Sequence, residues 1–331
     1  MHRYLFSLVL AMVLLGCESA REASNDNPTV VATTSMIADL ASVLGGPHVE
    51  VSGLMGPGVD PHLFKASEGD MTRMARANVI LYNGLHLEGK MADIFEQMAA
   101  RGIRAVALAE VAIPKDRLIE SDQFAGNYDP HVWFDVQLWS DVARATADIL
   151  RELRPEQASS IDSSLTRYLG SLDSLDAYIR QMVANVPEDR RVIVTSHDAF
   201  GYFGRAYGFE VRGLQGISTA TEAGTADVQE LANFVAERRI PALFVESSVS
   251  PRGIQAVREA VRARGFEVKN GGTLYGDALG DPGTPAGTYI GMMRHNVETI
   301  VSSLNPKPAA DEATISATTA SAPANATEPR L

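Results

Sequence analysis

A single cysteine, Cys17, occurs in the 331 residues. Without a second thiol there is no intramolecular disulfide, no thiolate zinc ribbon and no dithiol redox chemistry. Positive charge is also in short supply, with 29 Lys and Arg against 41 Asp and Glu, a net charge of −12. Nucleic acids are held mainly by Lys and Arg on phosphates, so this balance argues against such a partner. It suits a soluble protein that meets cations, although solubility alone also accounts for it. Beyond the N-terminus no segment is apolar enough to cross a bilayer. Two hydrolase signatures, Gly-x-Ser-x-Gly and His-Glu-x-x-His, do not occur, and Gly271-Gly272 lacks a phosphate-loop pattern.

What is present begins with Met1-His2-Arg3 and an apolar run from Tyr4 to Leu15, followed by Gly16-Cys17. A basic start and about a dozen apolar residues make a signal peptide, residues 1–16. Leu14-Leu15-Gly16-Cys17 resembles a bacterial lipobox, with Leu15 bulkier than the usual small residue. Cys17 is therefore expected to be lipidated and to anchor an exported protein to a membrane. Residues 17–28 read as a tether. Residues 305–331, rich in Ala, Thr, Ser and Pro, read as a disordered tail.

Between them, short apolar strands alternate with amphipathic helices, which predicts an α/β fold with mainly parallel sheets. Strands are expected at Thr29–Thr33, His48–Leu54, Val79–Tyr82 and Arg104–Leu108. Ser35 is expected to cap the first helix. Further helices are expected at Leu87–Ala100 and Leu138–Leu153. Apolar residues then recur every three or four positions from Ile161 to Val186, between Pro155 and Pro187. About 30 helical residues at about 1.5 Å each span about 45 Å, a rod suited to joining two lobes. A second α/β set follows, with strands at Arg191–Thr195, Phe209–Gly213, Leu243–Val245 and Glu267–Lys269. Helices are expected at Ala226–Arg238, at Arg252–Arg264, and from Thr284-Pro285 onward. The expected lobes are residues 29–154 and 188–304, with residues 155–187 as the linking helix.

Two tripeptides carry the most information: Asp60-Pro61-His62 and Asp129-Pro130-His131. Each proline fixes its own φ and disfavours a helical aspartate before it, so each histidine sits on a stiff, non-helical segment. Either aspartate could also receive the ring N–H of its histidine. His197, just past a predicted strand, and Asp277, in Tyr275-Gly276-Asp277, complete a set of three imidazoles and one carboxylate. That is a ligand set for one divalent transition metal. Two of the four precede the long helix and two follow it, so a shared metal lies in a cleft between lobes. Taken singly, each Asp-Pro-His reads as a surface turn and Asp277 as a turn residue. The run Ser196-His197-Asp198 is no triad, because three consecutive side chains cannot converge on one another. Glu246, at a strand end, is a candidate buried acceptor behind the ligands. His48, His86 and His295 read as structural or solvated.

Four stretches, GVDPHLFKAS, NYDPHVWFDVQLW, TSHDAFGYF and LYGDALGDPGTPAGTYIGMMRHN, together with LQGISTATEAGTADVQ, resemble the cluster A-I solute-binding lipoproteins of zinc and manganese ABC transporters. The resemblance covers about residues 29–304. It implies two lobes, each a four-stranded parallel sheet flanked by helices, joined by one long rigid helix, with the metal in the cleft. It places the ligands on His62, His131, His197 and Asp277, and implies modest motion on binding. Many manganese-selective members carry Glu where this chain has His197. Many zinc-specific members carry a histidine-rich loop, whereas Glu110–Asp129 has no histidine.

The expected function is capture of a divalent metal and its delivery to an ABC permease with its ATPase, by a monomer and without covalent chemistry. Zinc should bind more tightly than manganese to a nitrogen-rich set, while manganese is the expected cargo and some relatives carry iron. Two rival readings stand beside this one. A zinc hydrolase needs an open coordination position and a general base. A surface adhesin or structural lipoprotein would hold metal only incidentally.

Overall fold

The computed structural model describes residues 27–121 and 126–305. The signal peptide, Cys17 and the C-terminal tail from residue 306 lie outside the described residues. In the first lobe, β1 (Thr29–Ala32), α1 (Ser35–Gly45), β2 (Glu50–Gly53), α2 (Glu68–Ala75), β3 (Val79–Tyr82), α3 (Ala92–Ala100) and β4 (Arg104–Ala107) alternate, and α4 (Leu108–Ala112) follows. The strands form one parallel sheet in the order β2-β1-β3-β4. Val30, Val31 and Ala32 are fully buried, as a central parallel strand covered on both faces requires. A short antiparallel pair, β5 (Glu120–Ser121) and β6 (Asn127–Tyr128), leads to His131.

Two long helices come next, α5 (Val136–Leu153) and α6 (Ala158–Val183). The second lobe contains β7 (Val192–His197), α7 (Gly201–Tyr207), β8 (Glu210–Gln215), α8 (Thr225–Arg238), β9 (Ala242–Glu246), α9 (Arg252–Ala263), β10 (Lys269–Leu274) and α10 (Tyr289–Leu304). Its four strands form two laddered parallel pairs, β7 with β8 and β9 with β10. β7 and β9 lie side by side between them. At their ends the His197 amide is taken by the Glu246 side chain, 2.9 Å away.

Several boundaries differ from the sequence expectation for identifiable reasons. Thr34, not Ser35, caps α1: its hydroxyl accepts the Ile37 amide. Ser35 is engaged elsewhere, accepting the Leu279 amide from the other lobe at 2.9 Å. The linking helix starts after a separate 3-10 turn at Pro155–Gln157, and α6 itself has 26 residues, about 39 Å at about 1.5 Å each. Thr284-Pro285 opens only a 3-10 turn. Thr288 is extended and its hydroxyl accepts the Gly291 amide, so α10 begins there. The last strand begins at Lys269, two residues after the expected Glu267, and reaches Leu274. α2, α4 and α7 were not anticipated; each is eight residues or fewer, too short for a clear helical period.

The lobes share a core. Buried residues of α1, α5, α6, α7 and α10 form one continuous cluster with β1, β3, β7 and β9. Trp139 of α5 stacks on Tyr289 of α10 with ring centroids 4.9 Å apart, and its Nε1 donates to Tyr168 Oη of α6 at 3.0 Å. The Tyr289 amide donates to Asp39 Oδ2 of α1 at 2.9 Å. A linking helix packed along its length on both lobes leaves little room for a wide hinge. Among the described residues no helix is long and apolar enough to cross a membrane. Leu175 of α6 is fully buried in this shared core. Leu175→Ala should therefore cost about 2–5 kcal/mol in urea unfolding of the metal-free protein. Exposed Ser174→Ala should stay within about 0.5 kcal/mol.

Candidate metal centre

Three of the four expected residues, His131, His197 and Asp277, sit at or within a few residues of strand ends. His62 lies in the connection between β2 and α2, where Asp60 Oδ1 accepts the His62 amide at 2.8 Å. This is a side-chain turn that the intervening proline supports by offering no competing N–H. His131 follows β6 in the same way, with Asp129 Oδ1 accepting its amide at 2.9 Å. Asn83 Nδ2 donates to the Pro130 carbonyl at 3.0 Å and holds that turn to the sheet. His197 is the last residue of β7, not one beyond the strand. Asp277 lies just after β10, where Asn296 of α10 clamps Tyr275 by accepting its amide and donating to its carbonyl, at 2.9 and 2.8 Å.

The four side chains meet. Their candidate ligand atoms all lie within 4.8 Å of one another. His131 Nε2 is 3.4 Å from His62 Nε2 and 3.3 Å from His197 Nε2. Asp277 Oδ1 is 3.3 Å from His131 Nε2, and Oδ2 is 3.3 Å from His197 Nε2. A tetrahedral shell at about 2.0–2.1 Å from a zinc ion places neighbouring donors about 3.3–3.4 Å apart. Both Asp277 oxygens are buried and have no hydrogen-bond partner. The carboxylate can thus give one oxygen or two to an ion. Water is largely excluded: exposure is 0% for His131 and His197, 2% for Asp277 and 3% for His62. Trp133, edge-on to the His131 ring at 5.2 Å, closes one side.

Carboxylates behind two of the imidazoles set their orientation. Asp129 Oδ1 is 2.7 Å from His131 Nδ1. Glu246 Oε2 is 2.8 Å from His197 Nδ1, while its Oε1 takes the His197 amide. A proton held at Nδ1 leaves the Nε2 lone pair facing the cluster. His62 is different. Asp60 does not receive its ring N–H, because the two Asp60 oxygens are taken by the His62 amide and by the Thr219 hydroxyl at 2.6 Å. His62 Nδ1 is buried without a partner. Thr219 carried no signal in the sequence, since its role depends on a contact 159 residues away. Three expected bystanders stand apart: His48 meets Ser160, His295 meets the Thr273 carbonyl, and neither they nor His86 join the cluster.

The electrostatics demand positive charge at the centre. Burial opposes ionisation of Asp277, but His197 and His131 outweigh it and hold the carboxyl well below its usual range. Burial likewise opposes a charged His131, yet Asp129 and Asp277 raise it to about 9. His197 is raised well above its ordinary value by Glu246 and Asp277 against the same burial. His62, desolvated and beside two other imidazoles, falls to about 3. Protons on His131 and His197 would therefore compete with a cation for the same carboxylates.

One glycine is required here. A Cβ at Gly276 would stand 2.3 Å from Glu246 Oε2 and 3.5 Å from His197 Cε1. Gly276→Ala should displace Glu246 and loosen His197. Metal affinity should then fall roughly 10–100-fold, as when an outer partner of a ligand is lost. Competitive titration with a chelator checks this.

Comparison with known proteins agrees with the geometry. The family ZnuA, "Zinc-uptake complex component A periplasmic", matches residues 30–303. The zinc-binding protein TroA of Treponema pallidum is 49% identical over 282 residues, covering 85% of this chain and 90% of TroA. The manganese-binding lipoprotein MntA of Bacillus subtilis (strain 168) is 46% identical over 299 residues, covering 90% and 97%. The solved structure of the periplasmic zinc-binding TroA superposes with a TM-score of 0.82 at 48% identity, covering 84% of this chain and 99% of that one. A buried three-histidine, one-aspartate cluster between two α/β lobes, on a chain matched almost end to end, places this protein in the ZnuA family of metal-binding, substrate-binding components of ABC transporters.

Proposed function

We propose that the protein captures one divalent transition metal outside the cytoplasm and hands it to an ABC permease driven by its ATPase. The metal is cargo, manganese or zinc, as the names of TroA and MntA indicate for those proteins. The ligands are Nε2 of His62, His131 and His197 and the carboxylate of Asp277. The observation that carries this reading is the convergence of four buried donors, two from each lobe, within 4.8 Å. Buried polar groups without partners are costly. A dry pocket with both Asp277 oxygens unpaired is accounted for by a cation that pairs them.

Capture replaces most of the metal's water with imidazole and carboxylate. Each lobe supplies two donors, so a bound ion ties the lobe faces together across the cleft, and the joined faces are the signal that the permease reads. Lipidated Cys17 and the 17–28 tether hold the protein, acting as a monomer, near the membrane. The geometry favours this role over a hydrolase. A catalytic zinc keeps an open position for water or substrate, whereas donors exposed by 3% or less restrict a substrate's access. It also favours a built site over incidental metal on an adhesin, since carboxylates are placed behind two of the ligands.

Both cargo candidates fit the donors differently. His131 Nε2 and His197 Nε2 lie 3.3 Å apart and each faces a different Asp277 oxygen at 3.3 Å, spacings in the range of donors on a zinc ion. A carboxylate with both oxygens turned to the cluster admits a higher coordination number for manganese. Zinc is expected to bind more tightly in vitro, with manganese the transported ion and iron a further candidate.

Metal analysis and competitive titration of the stripped full chain with zinc and manganese test the reading. One tight equivalent is expected, weakened by orders of magnitude in His131→Ala and in His62→Ala, with the metal-free fold intact by circular dichroism. Absence of a stoichiometric metal, or wild-type affinity in both variants, overturns it. Removing residues 306–331 should leave affinity unchanged, because all four donors and the carboxylates behind them lie within residues 27–305.

A further inference from the structure

Three of the four ligand-bearing segments, those of His62, His131 and Asp277, are pinned from the opposite lobe by a hydrogen bond. Tyr202 of α7 donates its hydroxyl to the Asp129 carbonyl at 2.9 Å, holding the turn that carries His131. Trp133 Nε1 donates to the Gly276 carbonyl at 3.1 Å, holding the segment that carries Asp277. For His62 the corresponding contact comes from Thr219, in the connection between β8 and α8. Thr219 is only 4% exposed, and its hydroxyl donates to Asp60 Oδ2 at 2.6 Å. Asp60 Oδ1 in turn accepts the His62 amide at 2.8 Å. A relay of two hydrogen bonds thus runs from the second lobe to the backbone of a first-lobe ligand.

The relay matters most for His62 because this imidazole has nothing else. His131 Nδ1 is hydrogen-bonded to Asp129 and His197 Nδ1 faces Glu246 Oε2 at 2.8 Å in an ion-pair contact without hydrogen-bond geometry, whereas His62 Nδ1 has neither kind of contact. The relay also borders space. A cavity of about 450 Å³ is lined by Asp60, Thr219, Ser196, Ser248 and Glu222. The buried hydroxyls of Ser196 and Ser248 have no hydrogen-bond partner there.

We propose that Thr219 is a positioning residue for metal retention, its hydroxyl holding Asp60 and through it the His62 segment closed over the ion. Opening of the cleft loops would break this bond, so its loss lowers the barrier to release rather than removing a ligand. A hydrogen bond to a carboxylate is strong enough that breaking it should speed release roughly tenfold or more. This inference rests on the metal-binding reading given above.

The test uses the full chain loaded with zinc, and separately with manganese, with metal release followed by stopped-flow in excess chelator. Thr219→Val removes the hydroxyl at nearly constant shape, and Thr219→Ser keeps it. Release at least tenfold faster from Thr219→Val is expected, with one metal still bound per chain, an unchanged metal-free melting temperature and a wild-type rate in Thr219→Ser. In an Asp60→Asn background, Thr219→Val should add little, since the two changes break one bond. Thr219→Ala replaces Thr219→Val if that variant does not fold. Wild-type release from the hydroxyl-free variant, equally fast release from Thr219→Ser, or additive effects with Asp60→Asn overturns the assignment. Wild-type protein that loads one metal, lost in His131→Ala, shows that such a failure belongs to Thr219 alone. Wild-type protein that takes up no metal overturns both readings.

Discussion

A carboxylate kept anionic in a dry pocket is the constraint around which the cleft is organised. Asp277 is 2% exposed, and its two oxygens face imidazole nitrogens at 3.3 Å. Burying a lone charge costs far more than a single contact returns, so the pocket must supply a positive partner. Protons on His131 and His197 can do so, and so can a divalent ion. The surrounding architecture follows from this need: two sheets end at the cleft, a shared apolar core holds them at fixed separation, and Trp133 excludes water. An ion that satisfies Asp277 also satisfies three imidazoles from both lobes, which makes its binding energy available for holding the lobes together.

The three imidazoles are not equivalent. His131 and His197 are fixed by carboxylates at Nδ1 and by side-chain acceptors on their own amides. They form a rigid pair on which the ion can be assembled. His62 is fixed only through its backbone. A carrier must hold its cargo tightly yet surrender it on contact with a permease. Two well-anchored ligands and one loosely anchored ligand reconcile those demands better than three equal ones. The rigid shared core is consistent with this division, because it confines motion to the loops at the cleft rather than spreading it over a hinge.

Much of this was legible in the sequence. The period-two and period-3.6 patterns located most strands and the long helices, and the paired Asp-Pro-His tripeptides marked two of the candidate ligands. Glu246 could be suspected because a carboxylate ending an apolar strand has few other uses. What was not legible depends on contacts between distant residues. Ser35 reads as a cap until Leu279, 244 residues away, takes its hydroxyl. Asp60 and Asp129 stand in identical tripeptides, yet Asp129 reaches its ring and Asp60 reaches Thr219. Local chemistry offers both aspartates the same options, and the opposite lobe decides between them. The short helices α2 and α7 were missed for the opposite reason, having too few turns to show a period.

Metal identity follows from how much the donors can adjust. Affinity for nitrogen-rich sites rises toward zinc along the divalent series, so a site that only maximised affinity would not choose manganese. Selection of a weaker-binding ion has to come from coordination number, geometry or supply. Here the flexible elements are Asp277, with two unpartnered oxygens, and His62, with an untethered ring. The inflexible ones are His131 and His197. A four-coordinate ion can use the rigid pair with one oxygen and His62, whereas a larger ion can take both oxygens without moving the rigid pair. With His62, His131, His197 and Asp277 as the ligands proposed above, the same cluster would accommodate either ion by small changes in two side chains, and the ion carried would then follow supply rather than affinity.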